Sequence, residues 1–158
     1  RITTACASMT NLPFESASFD VIWSEASAYI MGVTNALKEW RSLLKDNGVL
    51  VISDLVWRTS TPSADVLAFW QKGYPGMTTT EERIEQAEAA GYEVLDSFAS
   101  SEVAWKAYFE PLHARVNTLK HEMVDSSALR DIQTELEIYR TSLDEFGYQM
   151  FVLKLKNA

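Results

Sequence analysis

Asn11-Leu12-Pro13-Phe14, a short polar spacer, then Phe19-Asp20-Val21-Ile22-Trp23-Ser24-Glu25 make up the stretch on which the reading of this chain turns. Pro13 lacks a backbone N–H and fixes its own φ, so the first part reads as a loop. Phe19 to Trp23 is an apolar run broken only by Asp20, which is the pattern of a buried strand in a parallel sheet. The run gives way to Ser24-Glu25, placing polar groups just past the carboxyl end of that strand, where open parallel sheets bind ligands.

Downstream, Val33, Ala36, Leu37, Trp40, Leu43 and Leu44 recur at helical spacing, and Asp46-Asn47-Gly48 reads as the left-handed stop of that helix. Val49 to Ser53 is a second central strand ending at Asp54, so strand, helix and strand make a right-handed crossover unit. Thr61-Pro62 predicts a short helix, and Thr79 to Glu82 has capping-box spacing at the head of another that stops at Gly91. Tyr92 to Phe98 follows as a strand. The region 101–146 reads as a helical insertion reset at Pro111, with an apolar seam at Leu129, Ile132, Leu136, Tyr139, Leu143 and Phe146, capped by Gly147. Tyr148 to Leu155 alternates as a closing strand. Upstream, the β-branched Ile2, Thr3 and Thr4 predict a further strand over Arg1 to Ala7.

Composition bounds the function. The 158 residues suit one domain, 1–158, with no linker or repeat. A net charge of −8 with scattered basic residues argues against a nucleic-acid surface, and no apolar run is long enough to span a membrane. A small-molecule partner is favoured. The lone Cys6 agrees with a reducing, cytoplasmic setting and reads as a small buried hydrophobe. His113 and His121 lie eight apart in a polar helical stretch, which is no metal-ligand spacing, and no metal is expected.

In this order and spacing the pieces resemble the second half of the class I, Rossmann-like S-adenosylmethionine-dependent methyltransferases. The sharpest parts are Asn11 to Phe14, Phe19 to Glu25 and Leu37 to Asp54. The resemblance implies an α/β fold carrying strands 3, 4, 5, 7 and 6 of the family sheet, with the last strand antiparallel and slotted between the fifth and sixth. It also implies that a glycine-rich front half is missing. The glycines Gly32, Gly48, Gly73, Gly76, Gly91 and Gly147 form no Gly-x-Gly loop, so this portion alone is expected to bind S-adenosylmethionine weakly or not at all. By family position, Ser8 and Met9 would contact the adenine, and Trp23 and Ser24 would lie near the sulfonium. Glu25 would be the general base if the acceptor must lose a proton. Tyr29 and Trp57 would line the substrate pocket. The implied activity is methyl transfer to an unidentified small molecule.

The alternative reading is a non-catalytic half-domain acting as a dimerisation or interaction module, because a strand without its neighbour presents an edge that pairs with other chains. A homodimer through that edge is expected. A nicotinamide-dependent oxidoreductase would call for a Tyr-x-x-x-Lys pair, and no tyrosine here is followed by Lys at that distance.

Overall fold

In the computed structural model, which describes residues 2–156, the apolar runs find neighbours that share their backbone hydrogen bonds. Among the described residues the strands are β1 (Phe19–Glu25), β2 (Leu44–Trp57), β3 (Thr78–Thr79), β4 (Tyr92–Ala99) and β5 (Phe146–Leu155). The helices are α1 (Val33–Arg41), α2 (Ala64–Gly73), α3 (Thr80–Ala89), α4 (Glu102–Leu119) and α5 (Ser127–Ser142). The sheet order is β1-β2-β5-β4, with β3 touching the end of β2. β1 lies parallel to β2, Val21 opposite Val49, and β5 runs antiparallel on the other side of β2, Val51 opposite Val152. The expected insertion of an antiparallel last strand between its neighbours is therefore present.

Burial explains the layering. Leu50, Ile52, Phe151 and Leu153 share one sheet face and pack with Leu37 and Trp40 of α1. Tyr92 is fully buried on that side, and its hydroxyl donates to the Leu37 carbonyl at 2.9 Å. At the carboxyl end of β2 a second cluster joins Leu55 to Trp70, Trp105, Tyr139 and Phe146, drawn from α2, α4, α5 and β5. The helical pair has its own seam of Val116, Leu129 and Leu136. On the far sheet face Val21, Trp23 and Phe98 are exposed.

Local signals held where they were strong. Thr79 caps α3 with a reciprocal box to Glu82, and Gly91 ends the segment at φ +90°. Six expectations need correction. Ile2 to Ala7 form no strand, because they pair with no neighbour among the described residues and a strand exists only through pairing; Arg1 lies outside those residues. The helix after Gly32 ends at Arg41, and Leu44 already pairs with Phe19. Gly48 is not left-handed there; it is needed because a Cβ would press on the Leu44 side chain and the carbonyls of Lys45 and Phe19, each at 3.0 Å. Pro111 sits inside α4 without breaking it. Gly147 caps nothing: α5 ends at Ser142, and Gly147 is a β5 residue whose Cβ would run into the Arg58 guanidinium. Cys6 is exposed rather than buried.

Candidate functional site

β1 ends alongside β2 with Glu25 opposite Ser53, and β2 runs on to Trp57. The chain leaves β1 through Ala26 at φ 46°, a conformation that costs a residue bearing a Cβ. Its N–H donates to Ser53 Oγ at 2.9 Å, and the Ser24 and Ser27 hydroxyls share a hydrogen bond at 2.8 Å. This corner leads into a single 3-10 turn, Ala28–Ile30, which buries Ala28 and leaves Tyr29 at the rim, its ring 5.2 Å from that of Tyr74.

Beside this pair, at the end of β2, is a cavity of about 240 Å³. Its aromatic wall is Tyr29, Phe69, Trp70, Tyr74, Tyr139 and Tyr148. Asp54 and Glu135 supply its carboxylates, and among the described residues no Lys, Arg or His lines it. Asp54 is 2% exposed and ion-pairs with the equally buried Arg83 at 2.7 Å, while the Tyr74 hydroxyl donates to it at 3.0 Å. Arg83 also donates to the Gly76 carbonyl at 3.1 Å, which ties α3 to the turn after α2. Burial pushes the Asp54 carboxyl up against the pull of Arg83 and Tyr74. It raises the Tyr74 phenol too, with the Asp54 charge adding to the effect. Tyr148 is pushed up to about 12, chiefly by burial and then by Tyr29 and the Glu135 charge. Glu135 is raised by burial alone. The phenols are thus neutral donors in a pocket of negative potential.

The sequence-derived candidates do not all converge. Trp23, Ser24 and Glu25 lie at the end of β1, where the Trp23 indole N–H donates to the Glu25 carboxylate. Tyr29 lines the aromatic pocket. Ser8 and Met9 sit apart: Met9 packs on the core beneath α1, and its carbonyl accepts from Trp40 Nε1 at 3.3 Å. Trp57 lines a separate hollow of about 430 Å³ with Arg58 and Gln149. Asp54, Phe69, Glu135, Tyr139 and Tyr148 carried no local signal as site residues. They gather from four separated segments, and only the position of Asp54 at a strand end pointed here.

A sulfonium nucleoside fits one wall of what is present. The exposed indole of Trp23 and the Glu25 carboxylate suit a cation, and β1 leaves its outer edge unpaired among the described residues. The wall opposite that edge is not formed by any described residue.

Residues 1–52 match the family model described as a methyltransferase domain. No curated protein matches the chain. Among the solved structures that share its fold are the following three. The (4+2)-cyclase SpnF is 22% identical at a TM-score of 0.73, over 98% of this chain and 56% of its own. A methyltransferase from Geobacter sulfurreducens, in complex with S-adenosylhomocysteine, is 17% identical at 0.70, over 94% and 61%. Phosphoethanolamine N-methyltransferase 2 from Haemonchus contortus, with phosphomonomethylethanolamine and S-adenosylhomocysteine, is 16% identical at 0.69, over 95% and 36%. The chain thus spans between 36% and 61% of the last two and 56% of the first. The fold is the class I, Rossmann-like methyltransferase fold, and S-adenosylmethionine is the cofactor of that fold.

Proposed function

We propose that this chain serves an S-adenosylmethionine-dependent methyltransferase, presenting a small-molecule acceptor from the aromatic pocket to the end of β1. The observation that carries the reading is the position of that pocket: it opens at the carboxyl end of β2, next to the Trp23-Ser24-Glu25 corner, where this architecture binds its ligands.

Trp23 and Ser24 would hold the donor, with Ser8 and Met9 as the adenine side in the intact assembly. When bound, the donor supplies an electrophilic methyl group. Catalysis then rests mostly on alignment, which the aromatic wall provides by confining a small acceptor and excluding water. Glu25 acts as general base where the acceptor carries a proton; the Trp23 N–H bond orients its carboxylate. Tyr29 closes the rim, while Trp57 lines a separate hollow. The free edge of β1 suits a homodimer, and among the described residues no helix is long and apolar enough to cross a membrane. A reducing, cytoplasmic setting accords with the exposed lone Cys6.

The test is saturation-transfer NMR with S-adenosylhomocysteine, which detects weak binding. Adenine and ribose signals should receive magnetisation from the chain, and Trp23→Ala should reduce the effect. No transfer at millimolar ligand would sink the proposal.

A further inference from the structure

The pocket at the end of β2 has a chemistry more specific than its place in the fold. Six aromatic side chains surround about 240 Å³, below the ~300–1,000 Å³ that holds drug-sized ligands, so the occupant is small. The two carboxylates are not equivalent. Asp54 is neutralised by Arg83 at 2.7 Å, and that same ion pair withdraws the nearest guanidinium from any anionic ligand. Glu135, projecting from α5, lines the cavity half-buried, and among the described residues no hydrogen bond or cation offsets the burial that raises it. The net formal charge facing the cavity is that of one unpaired carboxylate. The indole N–H of Trp70, a lining residue, likewise finds no protein acceptor.

An anionic acceptor would meet only negative charge and aromatic faces here. A neutral apolar one would leave the Glu135 carboxylate buried and unpaired. A small monocation answers both: aromatic faces attract it through their quadrupoles and the carboxylate balances its charge. We propose that this pocket recognises a small aliphatic amine in its ammonium form, with Glu135 as its counter-ion and Tyr29, Tyr139 and Tyr148 as its cage.

The inference rests on the methyltransferase reading for the identity of the reaction, not for the identity of the ligand. In that reaction the ammonium, paired with Glu135, first gives a proton to the Glu25 carboxylate, the base assigned above, which passes it to solvent. The freed nitrogen lone pair forms the new N–C bond as the methyl C–S bond breaks, its electron pair remaining on sulfur. The product leaves as a methylated ammonium, with one proton released overall.

The test uses calorimetric titration of the 158-residue chain with choline, with its neutral isostere 3,3-dimethylbutan-1-ol, and with inorganic pyrophosphate. Choline should bind roughly tenfold or more tightly than the isostere, as expected for a desolvated cation over aromatic faces, and pyrophosphate should not bind. Glu135→Gln should bring choline down to the level of the isostere, and Tyr29→Leu should weaken it by a few fold, about the worth of one partly exposed ring. Equal affinity for choline and the isostere, no binding of either, pyrophosphate binding, or an unchanged Glu135→Gln titration would each overturn the inference. Choline selectivity without S-adenosylhomocysteine binding would leave the amine site standing and remove the methyltransferase reading; the reverse pair of results would do the opposite.

Discussion

Replacing Arg83 by Met tests whether the Asp54 cluster holds the far end of the sheet together. The two side chains are 2% and 4% exposed and 2.7 Å apart, so removal of the cation leaves a buried carboxylate with the Tyr74 hydroxyl and the Leu55 backbone N–H but no opposite charge. Breaking one side of such a pair costs about 3–5 kcal/mol, because the remaining charge is desolvated and uncompensated. For a chain of this length each kcal/mol lowers Tm by roughly 2–4 °C, which places the expected loss at roughly 6–20 °C. The pH dependence has a definite sign. Burial already lifts the Asp54 carboxyl above its ordinary 3.8, and loss of Arg83 lifts it further. The ionised form is then the costly one in the fold, so the deficit against the parent is full near neutrality and shrinks as pH falls through the raised folded pKa. Urea denaturation followed by circular dichroism at pH 7 and pH 4 measures both. A loss below about 1 kcal/mol at pH 7, the worth of a surface pair, would refute the assignment, as would a deficit that grows on acidification.

Glu135→Gln should stabilise the chain at pH 7 and lose that advantage at pH 4. Its folded pKa is raised above 4.5, so the parent's stability falls as pH rises through that value; thermal melts at the two pH values check the sign. Thr79→Ala should cost about 1 kcal/mol by opening the capping box of α3, read from a shift in the denaturation midpoint at unchanged m-value. Gly91→Ala should destabilise by about 1 kcal/mol or more, since φ +90° disfavours a Cβ and the Arg41 side chain already lies 3.0 Å from its site. Pro111→Ala should raise Tm, because α4 regains a backbone donor, although the looser unfolded chain offsets part of the gain; an unchanged or lower Tm would mean the helix tolerates the ring at no cost.

The sheet was legible from periodicity because its strands are written in runs: Phe19 to Trp23, Val49 to Ser53 and Tyr148 to Leu155 each carry their own pattern, and their pairing follows. The seam of α5 was legible for the same reason. What escaped was set by contact rather than by period. Leu44 is drawn out of the α1 stripe by pairing with Phe19, and Pro111 is held in α4 by packing on either side of it, with Phe109 half-buried and Val116 buried in the seam of the helical pair. The strand expected over Arg1 to Ala7 shows the converse, since β-branched residues make no strand without a partner. Around the cavity, the place of Tyr29 just after β1 could be read from the chain, whereas Glu135 and Tyr148 lie far along it and meet Asp54 only once the fold has closed.

The position of β5 has a bearing on how the molecule is made. Among the described residues β4 has no ladder except the one it shares with β5, so residues 92–99 leave the ribosome long before the partner they need. Synthesis at about 5–20 residues per second leaves that strand waiting for several seconds with its backbone unmatched. The ten residues of β5 act as a keystone. Until they are inserted, the nascent sheet is an open half-arch whose loose strand leaves its backbone groups without partners.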